Sequence, residues 1–261
     1  MIDQALAIDP DLADALVARA LLELHAPVMD PALMLRLLRR ACEAERQADS
    51  YMWLAIYLTM TGRPEMAVPY GRTAFELDPL TPIVSATLAG PLVFLGRAEE
   101  ALPLVERAIE REPRDHVTRF FLAAFMATSG RFDQARHHFS QIDVDSTGYF
   151  GLLARAYLHS LTGDRGGLRD TVTNPALVEY AQVDDQFCWN LSQALAHAGD
   201  QQGAFSWLRR GAERGFVNAP SVAHVDQMLV GVRGHPALNE LLGFMEQRAA
   251  EIARASGIWK T

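Results

Sequence analysis

Lysine is almost absent from this chain. Of its 24 basic residues only Lys260 is a lysine, so any mechanism that needs a lysine in the body of the protein is excluded. A skewed genome produces such a bias without functional pressure. Cysteine is scarce too. Cys42 and Cys188 are too few for a disulfide framework and too far apart for a paired metal site. Both fall in apolar helical patterns, where a free thiol behaves as a small hydrophobe, so they are expected unpaired. Positive charge is in deficit: 24 basic residues face 32 acidic ones, a net charge of −8. That balance argues against a nucleic-acid partner, which needs clustered positive charge. No apolar run approaches a bilayer span and no basic–apolar leader follows Met1, so no membrane partner and a cytoplasmic location are expected.

Catalytic patterns are missing as well. Ser192 and Ser206 have no nucleophile-elbow context, and "GDRGG" at 163–167 lacks the Gly-Lys-Ser/Thr of a phosphate loop. His137 and His138 are adjacent on a predicted helix, point about 100° apart and cannot share a metal ion. They read as exposed or capping residues. Asp184 and Asp185 precede "QFCWNLSQALAHAG" and read as a helix-start signal, not a catalytic dyad. The expectation is a protein that is not an enzyme, with no cofactor and no metal.

What the chain does have is a repeat. "TGRPEMA", "LGRAEEA" and "SGRFDQA" place Gly62, Gly96 and Gly130 at intervals of 34 residues. Each glycine is followed by arginine (Arg63, Arg97, Arg131), then an acid (Glu65, Glu99, Asp133), then alanine (Ala67, Ala101, Ala135). Glycine past a helical pattern accepts the left-handed conformation that ends a helix. The acid suits the positive end of the next helix, and alanine lets two helices approach. Pro79 and Pro113, also 34 apart, close the second helix of a unit. Hydrophobic residues make up 49% of the chain, enough for a continuous core.

This pattern resembles the tetratricopeptide repeat, a helix–turn–helix unit of that length. The large–small pairs Leu54/Ala55, Leu88/Ala89 and Leu122/Ala123 fit it, although the frequent tryptophan of the first helix is missing. The resemblance implies an all-α, right-handed solenoid of about six helix pairs over 1–261, with a C-terminal capping helix and almost no strand. Residues 48–143 hold the clearest repeats, 144–216 degenerate ones and 217–261 the terminal cap. Around 165–175, "RGGLRDTVTNP" is expected to give a short helix and then a loop. Residues 1–8 supply only the second half of a unit; fraying, self-association through this end or a longer natural protein is expected. The phrase "VRGHPALNELL" at 232–242 resembles the end of repeat regions in bacterial adenylate cyclase, kinase and winged-helix regulators.

In the tetratricopeptide family the first helix of each unit lines a concave groove. Carried onto this chain, those places hold Met52, Ile56, Met60, Ile83, Phe94, Phe120, Phe150, Tyr157 and Trp189. The lysines and asparagines with which chaperone-binding members clamp a peptide carboxylate are absent there. Two readings stay open: an apolar groove for a protein or peptide segment, or side chains buried by tight curvature. The resemblance implies a non-enzymatic protein-binding scaffold, in the regulatory position of a signalling system; the alternative is a small-molecule sensor module with its effector near Trp189.

Overall fold

The structure is a computed structural model that describes residues 1–143 and 148–258. It is an α-solenoid, and no strand occurs among the described residues. A half-unit, α1 (Ile2–Ile8), precedes α2 (Ala13–Leu24) and α3 (Pro31–Ala44). The regular pairs follow: α4 (Ala48–Met60) with α5 (Pro64–Leu77), α6 (Pro82–Phe94) with α7 (Ala98–Arg111), and α8 (His116–Thr128) with α9 (Phe132–Ser140). Beyond them come α10 (Tyr149–Thr162), the short α11 (Arg165–Val172) and α12 (Pro175–Ala181), and the pair α13 (Asp185–His197) and α14 (Gln201–Arg214). The last helix among the described residues is α15 (Pro236–Ser256).

The punctuation does the work its spacing predicts. Gly62, Gly96 and Gly130 have φ of 80°, 74° and 80°, and Gly163 and Gly199 repeat this at 75° and 86°. The residue after each glycine donates its N–H to the carbonyl five places back (Arg63 to Leu58, Arg97 to Leu92, Arg131 to Met126, Asp164 to His159, Asp200 to Leu195). That bond satisfies a carbonyl which the helix end would otherwise leave unpaired. Ala67, Ala101 and Ala135 are fully buried where paired helices meet, and the Leu–Ala pairs are buried beside them.

One expectation is corrected. The loop after the short helix near 165–175 is in fact α12. Asn174 Oδ1 accepts from the N–H groups of Ala176 and Leu177, and Pro175 occupies the first helical turn. Asn followed by Pro is a helix start as well as a breaker, and here the start wins.

The ends of the solenoid meet. Arg214, at the end of α14, donates to the carbonyls of Leu24 (2.5 Å) and Ala26 (3.3 Å) at the end of α2, and to Val183 (2.8 Å). Val217 N–H donates to Met60 O and Asn218 Nδ2 to Thr59 O, both at the end of α4. Helix α15 then packs on both α14 and α3, with Arg36 donating to Ala255 O. One apolar cluster accordingly runs through α2, α3 and α4 and on into α13, α14 and α15. Cys42 and Cys188 are both unpaired.

Candidate functional site

The concave side of the ring divides into two regions. In the first, the chain covers itself. Residues 216–228 lie against the C-terminal ends of α4, α6 and α8 and against α13. Phe216 is fully buried and stacks on Trp189 with ring centroids 5.3 Å apart, and Phe94 completes the group 5.0 Å from Trp189. Below this triad runs a buried polar chain. Trp189 Nε1 and Gln193 Nε2 both donate to Asp226 Oδ2, at 3.1 and 2.8 Å, and Gln193 Nε2 also reaches Thr128 Oγ1. Asn190 Nδ2 donates to the Tyr157 hydroxyl, which in turn donates to Gln193 Oε1. Burial pushes the Asp226 carboxyl up to about 6, against the pull of those hydrogen bonds.

The second region is a cavity of about 600 Å³ beside this segment. Of the nine residues picked out by the repeat, Met52, Ile56, Met60, Ile83 and Phe150 line it. Phe94 and Trp189 instead line a smaller recess of about 70 Å³ that shares Ile56, Met60 and Ile83 with it. Phe120 and Tyr157 line neither. Both are fully buried, with the Phe120 ring among Phe121, Phe139, Phe150 and Tyr157 at 5.2–6.1 Å. One helical face thus spreads over three environments: the cavity, the recess beside Phe216, and the packing between neighbouring units.

The cavity has residues that the repeat positions did not reveal. Leu21 and Leu22 of α2, Trp53 and Tyr57 of α4, Phe121 of α8 and Phe187 of α13 add apolar wall. His25, Tyr180, Asp184, Asp185 and Gln186 form its polar part. Asp184 is the helix cap its position suggests: its Oδ1 accepts from Phe187 N–H at 2.9 Å. Asp185 goes further than a cap. It is 2% exposed, its Oδ1 accepts from Gln186 N–H, and its Oδ2 is buried with no hydrogen-bond partner. Burial first, and the neighbouring Asp184 charge second, push its carboxyl up to about 7; Arg214 opposes this. Burial also raises Asp184, and burial with both carboxylates raises the Tyr57 hydroxyl. Nothing in the sequence marks Asp185 as buried, since an acid in a first turn normally faces solvent.

His138 faces Arg119, with Nδ1 at 3.3 Å from a guanidinium nitrogen, and burial and then that charge press its imidazole down to about 4. No group of three metal-ligating side chains assembles among the described residues. No described helix is long and apolar enough to cross a membrane.

Residues 95–156, from the end of α6 into α10, match the tetratricopeptide repeat family. Among solved structures, the chain is similar to YrrB, described as a TPR protein with an unusual peptide-binding site. That match has 17% identity and a TM-score of 0.44, covering 78% of this chain and 96% of that one. It is also similar to yeast Tom70, at 14% identity and a TM-score of 0.40, covering 96% of this chain and 57% of that one. No curated protein matches by sequence. Residues 95–156 are tetratricopeptide-like, and the chain is an α-solenoid.

Proposed function

We propose that this chain is a non-enzymatic, protein-binding scaffold that receives a segment of a partner protein in the cavity walled by Met52, Ile56, Met60, Ile83 and Phe150. The observation that carries this reading is the wall itself. Side chains from successive repeat units converge on one space of about 600 Å³ that the chain's own C-terminal segment leaves unfilled. Apolar surface gathered in a concavity favours a ligand that replaces water. The reading treats 1–261 as a single solenoid acting in the cytoplasm, in the regulatory position of a bacterial signalling system, as the phrase at 232–242 suggests. A second reading, a small-molecule sensor, is favoured by the cavity volume, which falls in the range of about 300–1,000 Å³ usual for such ligands.

Selection of a random dodecapeptide display library on the full chain tests the proposal. Enriched peptides are expected to lose binding to Ile83→Asn and Phe150→Ser, both half-buried wall positions, while the helical circular dichroism of these variants persists. Failure to enrich any peptide, or peptides indifferent to both variants, would reject it.

A further inference from the structure

The smaller recess beside Trp189 has a chemistry of its own. Its walls are the rings of Phe94, Phe121, Phe125 and Trp189 with aliphatic side chains between them, and no described ionisable side chain lines it. Ile56, Met60, Ile83, Phe121 and Gln186 also border the large cavity, so the two spaces meet there. At about 70 Å³ the recess is several times the roughly 10–15 Å³ that one water needs, yet far too small for a polypeptide segment. One polar atom of its wall has no partner. Asn190, 1% exposed, turns its Nδ2 to the Tyr157 hydroxyl and towards Gln193 Oε1, neither of which borders the recess. Its Oδ1, on the other arm of the amide, is buried and unpaired, a rare state that calls for an explanation. The Thr59 and Thr87 hydroxyls of the same wall already donate to Ala55 O and Ile83 O. The wall also holds Gly90, inside α6 and without a positive φ, where alanine is the better helix former. A Cβ there would meet only the Phe125 ring, at an ordinary 3.5 Å. Pro91 does not demand the glycine either, because Val68 and Leu102 precede Pro69 and Pro103 inside α5 and α7. Gly90 leaves the recess open.

We infer that this recess binds a neutral single-ring small molecule of the phenol class, with its ring among Phe94, Phe125 and Trp189 and its hydroxyl donating to Asn190 Oδ1. The inference rests on the small-molecule reading above and gives that reading a site and a ligand class. Segment binding in the large cavity does not depend on it. The class follows from the wall. Aromatic side chains pack edge-to-face or offset against a further ring. A charged group would lose its water with no counter-charge in the wall, which excludes carboxylates and ammonium groups. Water is a poor occupant, because an ordered water needs about two to four polar partners and one free acceptor is on offer. An apolar ring with a single donor suits both the walls and the oxygen.

Calorimetric titration of the full chain with phenol at neutral pH tests this. Toluene, with a methyl in place of the hydroxyl, and charged benzoate are titrated beside it. The expected result is binding of phenol, a roughly tenfold or greater loss for toluene and no binding of benzoate. Two variants place the site. Gly90→Ala puts a methyl into the recess and is expected to weaken phenol roughly tenfold or more. Phe150→Ser alters the large cavity but not the recess, and is expected to leave phenol affinity unchanged. If Gly90→Ala fails to fold, intermolecular NOEs between phenol and the Trp189 indole of the wild-type chain decide the place, and their absence overturns the inference. Toluene binding as tightly as phenol would overturn it by removing Asn190 from the contact. Phenol binding lost in Phe150→Ser but kept in Gly90→Ala would also overturn it, and would leave the small-molecule reading standing in the large cavity. If phenol does not bind at millimolar concentration the inference falls, and a general fragment screen on the same chain then decides the reading beneath it: hits keep that reading, and a blank screen rejects both.

Discussion

The N–H of Val217 donates to the carbonyl of Met60 across 2.9 Å, joining a residue beyond the last repeat to the end of an early one. The contact depends on Gly62, two places along. A Cβ added there would stand 3.0 Å from Val217 O, whereas one on Gly96 would meet nothing within 4 Å.

The two glycines therefore form a matched pair for experiment. Both occupy the left-handed region, so alanine at either is expected to cost about 1–2 kcal/mol from backbone strain. Gly62→Ala must in addition displace the 217–218 segment, an overpacking penalty of about 1–3 kcal/mol. Denaturant melts should rank Gly62→Ala clearly below Gly96→Ala. Equal losses would mean that residues 216–218 do not lie against α4 in solution.

Closure through Arg214 can be tested by Arg214→Met, which keeps the apolar stem and removes the donors. The carbonyls of Leu24, Ala26 and Val183 then lose their charged partner. With part of this seam buried, a loss of roughly 2–4 kcal/mol is expected in urea unfolding. Faster proteolysis in the 24–30 connection should accompany it, and unchanged stability together with unchanged proteolysis would contradict the seam.

Acidity should stabilise this protein over a defined window. Burial raises the Asp185 carboxyl to about 7 and Asp226 to about 6 in the folded state, above their ordinary value of 3.8. Folding therefore favours the protonated forms. Their contribution is complete below pH 4 and is lost as pH rises through the folded-state values. Between pH 5 and pH 8 the melting temperature is expected to fall, and Asp185→Asn should flatten part of that slope. A difference of about 1 kcal/mol corresponds to roughly 2–4 °C for a chain of this size. A variant with the same slope as wild type would show that Asp185 does not titrate in this window.

Most of the architecture was legible because it is local. Glycine at the end of a first helix, an acid in the next turn and alanine at the contact act within a dozen residues, and a recurring interval makes them visible. The helix at 175–181 was missed because Asn174–Pro175 carries both meanings, and only its surroundings decide between them. The groove residues were legible as a helical face but not in their fates. Phe120 and Tyr157 are buried between neighbouring units, while Phe94 and Trp189 are covered by Phe216, which lies in a segment with no repeat to align. Asp185 reads in the sequence only as part of a helix-start signal, because burial of its carboxyl depends on Arg214 and on the end of α2, 161 residues upstream at Leu24.

An open solenoid is held by contacts between neighbours, so it can nucleate anywhere and fray from either end. Here Arg214 reaches a carbonyl 190 residues away in sequence and Arg36 one 219 residues away. Those bonds cannot form during synthesis until Arg214 and Ala255 have emerged, and such long loops are slow to close. The early units must wait as an incomplete arc. Once the arc joins, neither terminal pair can peel away without breaking the seam, so the finished ring should lose its structure in one cooperative step, where a linear array of the same units would lose it unit by unit.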